Sequence, residues 1–148
     1  MSDLIGVEVD RVHFVVEPGK IQEFARATHA EDPVHADQGT ASGRGFTGVL
    51  ATGTHVVVAG HHRDQQAQLD LLGLDRSRVV VGSVGWDYLR VLQAGDKLTG
   101  VRRVTADEIR EGRRGGVMRL VTLETEFTDQ NGAIAVRQQE VLIERGKE

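Results

Sequence analysis

Residues 19–37, G-K-I-Q-E-F-A-R-A-T-H-A-E-D-P-V-H-A-D, read as a short amphipathic helix that breaks at a proline and then presents a histidine. Ile21, Phe24, Ala25 and Thr28 recur at i, i+3, i+4 and i+7, with Lys20, Gln22, Glu23 and Arg26 mostly off that face, which predicts a helix over 20–30. Pro33 is expected to end it, because proline has no N–H and disfavours helical geometry in the residue before it. An imidazole beside a broken helix end is well placed to work as a general acid or base against a cleft, so His35 is the first candidate for chemistry.

Working outward, the β-branched run R-V-H-F-V-V over 11–16 predicts a first strand, closed by the turn signal Glu17-Pro18-Gly19. Residues 36–48 carry Gly, Ser, Thr and Asp without a period and read as a loop. A longer helix is expected from Leu50, with Thr52 or Thr54 as its N-cap, running through V-V-V-A-G-H-H-R-D-Q-Q-A-Q-L-D-L-L to a stop at Gly73. Its first half is almost wholly apolar and must be wrapped by other structure, with Gly60 allowing close approach. Strands are expected over 79–89, 98–110, 117–129 and 133–145. In the third of these, Val121, Leu123, Thr125 and Phe127 alternate with Thr122, Glu124, Glu126 and Thr128. Asn131-Gly132 is a hairpin signal, and Gly112-Arg113-Arg114-Gly115-Gly116 joins the previous pair as a charged tip. These elements imply an α+β architecture: a long antiparallel sheet with one buried helix. One helix covers only part of one sheet face, so dimerisation is expected.

Composition narrows the classes. A chain of 148 residues suits one domain, 1–148, and a net charge of -4 with interspersed signs shows no basic footprint for nucleic acid. With no cysteine there can be no disulfide, thiolate metal site or cysteine nucleophile. No N-terminal signal pattern and no run of ~20 apolar residues is present, so neither secretion nor a membrane span is expected, and the reading is cytoplasmic. With one Trp, one Tyr and four Phe, the core must rest on Val, Leu, Ile and Ala.

The order of strand, helix with F-A-R-A, proline, histidine, loop and apolar helix, followed by D-Y-L-R-V-L-Q-A-G-D-K-L and the N-G hairpin, resembles the MaoC-like hot-dog proteins. It is similar in particular to their N-terminal dehydratase-domain branch, which includes subunits of (3R)-hydroxyacyl-ACP dehydratases. The likeness runs from about Val9 to Arg145, and G-K-I-Q-E-F-A-R-A and R-V-L-Q-A-G-D-K-L are its most specific parts. It implies a hot-dog fold, a sheet wrapped around a central helix and paired into a double hot dog. Acyl thioesters of coenzyme A or acyl carrier protein are the implied ligands, and no cofactor is implied. Active members add or remove water across C2–C3 of the acyl chain. Their motif places an Asp ahead of Asn-Pro and a His, the two side chains holding one water. A backbone N–H at the start of the central helix meets the thioester carbonyl.

Carried over residue by residue, His35 matches the histidine and Pro33 the proline, but the aspartate position is Ala30. Asp32 stands where the motif has Asn, and Gly53, between Thr52 and Thr54, matches the glycine at the helix start. Asp32 is therefore the candidate partner of His35, although an Asx bond to the local backbone is the simpler account of it. Thr52, Gly53 and Thr54 are the candidate thioester-binding residues. Three functions fit: a hydratase/dehydratase using His35 with Asp32, a non-catalytic acyl-binding subunit paired with another hot-dog chain, and a hot-dog acyl-CoA thioesterase. The last needs a carboxylate at the central helix, and Asp64 lies too far from Gly53 to serve one thioester site. His55, His61, His62 and Asp64 lack the converging ligand set of a metal site, and no metal is expected.

Overall fold

The computed structural model describes residues 2–146; residues 1, 147 and 148, at the limits of the expected domain, lie outside the described residues. Strand β1 (Glu8–Val15) leads to helix α1 (Pro18–Ala27), a 3₁₀ turn (Pro33–His35), helix α2 (Gln38–Gly43), a central 3₁₀ helix (His55–His62) and helix α3 (Gln65–Leu72). After a second 3₁₀ turn come β2 (Val79–Tyr88), β3 (Lys97–Glu111), β4 (Val117–Thr128) and β5 (Ile134–Glu144). The strands form one antiparallel sheet in the order β1-β3-β4-β5-β2, wrapped around the central helical segment as in a hot dog.

Alternation on β4 decides the inner face: Val121, Leu123, Thr125 and Phe127 are all buried. The core on that face is split. One cluster joins Val12, Phe14, Leu98, Phe127 and Val136 to Val56 and Ala59 of the 3₁₀ helix. The other joins Val104, Val121, Leu123 and Leu142 to Leu69 and Leu72 of α3. Between them a polar row crosses the sheet. Register pairs Asp10 with Arg102, Arg102 with Thr125, Thr125 with Gln138 and Gln138 with Trp86, so one residue from each strand lies on the line.

Several sequence expectations need correction. Helix α1 ends before Pro33: the N–H of His29 donates to Arg26 O and that of Ala30 to Ala25 O, with His29 left-handed at φ 57°. That pattern is a Schellman closure, so the chain has already left the helix when it reaches Pro33, which instead opens the 3₁₀ turn. The expected loop over 36–48 contains α2, capped by the Asp37 carboxylate on Thr40 N. The single helix expected from Leu50 to Leu72 is two pieces. It starts as a 3₁₀ helix, becomes extended at Arg63, and restarts where Asp64 caps Ala67 N. Three residues per turn eclipse Val56, Ala59 and His62 on one row against the core and Val57, Gly60 and Arg63 on another. Gly73 does stop α3, at φ 64°. Gly60 does not serve a close approach, since a Cβ there would meet nothing within 4 Å.

Among the described residues no helix is long and apolar enough to cross a membrane.

Candidate functional site

The histidine is placed by backbone. Leu50 N donates to Val34 O at 3.0 Å, and the His35 ring meets Leu50 O through Nδ1 at 2.7 Å. A carbonyl can only accept, so this contact requires the proton on Nδ1. His35 is thereby anchored three residues ahead of Gly53. It also lines a cleft of 360 Å³ bounded by the end of α1 and the turn that follows, with Ala30, Glu31 and Asp32 on its wall.

Segment 49–51 is itself clasped. Ala51 N donates to Leu92 O, Ala94 N to Val49 O, and Leu50 bridges Gln93. Arg90 locks this clasp with two bonds to the buried Asp96 carboxylate, at 2.8 and 3.0 Å, and one to Asp129 at 3.0 Å. The segment R-V-L-Q-A-G-D-K-L is thus the strap that holds the histidine's anchor. Sequence reading flagged the segment but not its Arg90–Asp96–Asp129 lock, because nothing local ties residue 90 to residue 129.

Asp32 does not orient the imidazole. Its Oδ1 accepts from Val34 N at 2.9 Å and its Oδ2 from the Arg44 guanidinium at 2.9 Å. The Arg44 bond first, and the Val34 amide second, hold its carboxyl below the usual carboxylate range. The expected pairing with His35 gives way to the turn-capping role, because the 3₁₀ turn at Pro33 points the carboxylate back onto its own backbone. Among the described residues no carboxylate is hydrogen-bonded to His35.

At the start of the 3₁₀ helix, Thr52 O and Thr54 O accept from His55 N and Val57 N, while the amides of Gly53 and Thr54 donate to no protein group among the described residues. Thr54 holds the N-cap position without a side-chain bond, and among the described residues the buried Thr52 hydroxyl has no partner. The Tyr88 hydroxyl, from β2, donates to Gly53 O and fixes this turn. Burial pushes its pKa up to about 12, so it stays a donor. His55 is buried edge-on against Phe24, with burial pulling its pKa down, and His62 stacks on Phe14. Those two histidines pack, and among the described residues no group of three metal-ligating side chains converges. Asp64 is engaged as the α3 cap, and Phe127 is core.

Residues 3–138 match the family model described as FAS1-like, dehydratase domain region. A UPF0336 protein of Clavibacter michiganensis is 36% identical over 135 residues, covering 90% of this chain and 87% of that one. Among solved structures, the C-terminally truncated HadBC (3R-hydroxyacyl-ACP dehydratase) complex of Mycobacterium tuberculosis aligns with a TM-score of 0.78 at 22% identity, over 96% of this chain and 98% of that one. The ChsH1-ChsH2 complex of Mycobacterium tuberculosis aligns with a TM-score of 0.69 at 21% identity, over 97% and 100%.

Proposed function

From the premise that the chain belongs to the FAS1-like dehydratase-domain family, we propose that it is the acyl-thioester-binding subunit of a hot-dog hydratase/dehydratase, paired with a second hot-dog chain that supplies the acid–base carboxylate. The observation that carries this is the unfilled half of the dyad: Ala30 stands at the aspartate position, and the nearby Asp32 is tied to Val34 N and Arg44. Removal of a positioned acid or base costs about 10² to 10⁴ in rate, which a methyl group cannot replace.

In this reading the amides of Gly53 and Thr54 receive the thioester carbonyl of an acyl-CoA or acyl-ACP at the positive end of the helical segment, with Thr52 beneath them. His35, through Leu50 O, is a positioning residue for that turn. The partner's groups take the C2 proton and protonate the departing C3 hydroxyl, so one water leaves as the C2–C3 double bond forms. The reverse direction adds the same water, and neither needs a cofactor.

Edge strand β2 supports the pairing. Val81 is 58% exposed and Val84 39%, on a ten-residue strand that among the described residues is paired on one edge only, with β5. A second hot-dog chain adding its own edge strand there would cover both. Two of the structural neighbours are hetero-complexes, in keeping with pairing to a second chain. A thioesterase has less support, since Asp64 is engaged in capping α3.

The test is hydration of crotonyl-CoA, followed by loss of enoyl absorbance, with the chain alone and co-expressed with a catalytic hot-dog partner. Turnover is expected only from the pair, with His35→Ala costing less than about 10-fold. Turnover by the chain alone, or a loss of about 10² or more on His35→Ala, overturns the reading in favour of a self-contained hydratase.

A further inference from the structure

The polar row that splits the core lies beneath the break in the central helix, and it carries more hydrogen-bonding capacity than the protein uses. Arg102 is 4% exposed and Gln138 8%, yet among the described residues the donors Arg63 Nε, Trp86 Nε1 and Arg102 Nε and the acceptors Asp10 Oδ1 and Gln138 Oε1 have no hydrogen-bond partner. The ion pairs here are loose in part. Arg63 Nε stands 3.5 Å from Asp10 Oδ1 and Arg102 Nη1 3.6 Å from Glu140 Oε2, while Arg102 Nη2 bonds Asp10 and Gln68. Each buried group left unpaired costs about 1–3 kcal/mol, so this concentration in one place calls for an occupant.

A cavity of 400 Å³ opens onto the row, lined by Arg63, Arg102, Gln68, Gln138 and Glu140, with Arg76 at its rim. Three guanidinium groups stand against two carboxylates, Glu140 on the wall and Asp10 paired with Arg63 and Arg102, which leaves one net positive charge, and the unpaired nitrogens are donors. The complementary ligand is therefore anionic and rich in acceptors. The approach is apolar. Thr54, Val57, Gly60 and Arg63 are successive members of one eclipsed 3₁₀ row, and Val57, Val79, Val80 and Val81 line the same cavity. Gly60 lines the same cavity and leaves open space where a Cβ would be. At ~2 Å rise per residue the row spans roughly 16 Å from the start of the 3₁₀ helix to Arg63.

Resting on the reading of Gly53 and Thr54 as a thioester-carbonyl site, we propose that this cavity binds a carboxylate at the far end of the acyl chain, making the chain's preferred ligand an ω-carboxyacyl thioester of medium length. The valines take the methylene chain, and Arg63 and Arg102 receive the terminal carboxylate. A charged end group is accepted because those donors are already dehydrated; a terminal methyl would leave them unpaired, the asymmetry that lets a polar site reject an apolar analogue.

Calorimetric titration of the assembled protein with paired pantetheine thioesters, adipoyl to sebacoyl against hexanoyl to decanoyl, tests this without requiring turnover. The expected result is at least a 10-fold tighter Kd for one or more ω-carboxy members than for the ω-methyl partner of equal length. Arg63→Gln and, independently, Gln138→Leu should shrink that ratio. Equal or weaker binding of every ω-carboxy member overturns the proposal, and so does a ratio untouched by either substitution. If no thioester binds but free suberate does, in a manner sensitive to Arg63, the carboxylate site stands and the thioester reading fails. Binding of neither leaves both overturned, with the cavity holding water or a partner's side chain.

Discussion

The mouth of the proposed acyl site and the polar row beneath the helix break place their ionic groups in opposite ways. At the mouth, Asp32 and Arg44 are each about half exposed and satisfied locally, and the imidazole rests on a backbone carbonyl. Beneath the break, Asp10, Arg63, Arg102 and Glu140 are largely buried and incompletely paired. Buried, underused charge marks a place built to meet something else, whereas exposed, satisfied charge marks a turn that has finished its work. On the proposed reading, the contrast places binding in this chain's interior and the catalytic carboxylate on its partner.

The largest expected effect comes from the buried side. Arg102→Met should destabilise the protein by about 3–5 kcal/mol in urea unfolding, because Glu140 loses its cation and Asp10 keeps only its loose pair with Arg63 in a poorly hydrated interior. A loss below about 1 kcal/mol would show the row to be better hydrated than its burial implies, and would erase the contrast.

Next is pH. Burial lowers the His55 pKa, so between the unfolded value near 6.5 and the lower folded value the unfolded chain binds more protons. The stability this neutral histidine contributes is therefore complete above pH ~6.5 and is lost as pH falls towards the folded pKa. Urea midpoints at pH 7.5 and 5.5 should drop less in His55→Leu than in the parent protein, and an unchanged drop would move the cause elsewhere.

A smaller effect concerns two helix ends. Helices α1 and α3 both close with the Schellman pattern, one with His29 at φ 57° and the other with Gly73 at φ 64°. A left-handed non-glycine residue costs about 1–2 kcal/mol, so His29→Gly should stabilise the protein by about 1 kcal/mol, while Gly73→Ala should destabilise it. Equal responses at both ends would show that His29 contributes binding energy through its side chain. Smallest of all, Arg44→Ala should cost no more than about 1 kcal/mol, since its pair with Asp32 is exposed. A larger loss would mean the mouth depends on that pair.

Much of the fold was legible in the residues. Strand periodicity, the Gly73 stop and the alternation on β4 are properties of neighbours in the chain, and each came out within a few residues of its expected place. His35 was legible for the same reason, as an imidazole just beyond a helix break. The early end of α1 was not, because a Schellman closure on His29 lacks the glycine that advertises it. The split of the central helix also escaped local reading. Thr54 to Leu72 is compatible with one helix by composition, but Arg63 and Asp64 depart from it where the helix passes over the polar row.

By itself, then, the order of apolar and polar residues determined an α+β chain with an antiparallel sheet, a helical segment against it and a histidine beside a turn, since these follow from periods of two and about three and a half residues. Only the folded structure decided which charges share a space. Asp10, Arg63, Arg102, Gln138 and Glu140 are scattered along the sequence and meet because strand register and the broken helix bring them together. Register is a long-range property of the sheet, so no local pattern announces the row that divides the core.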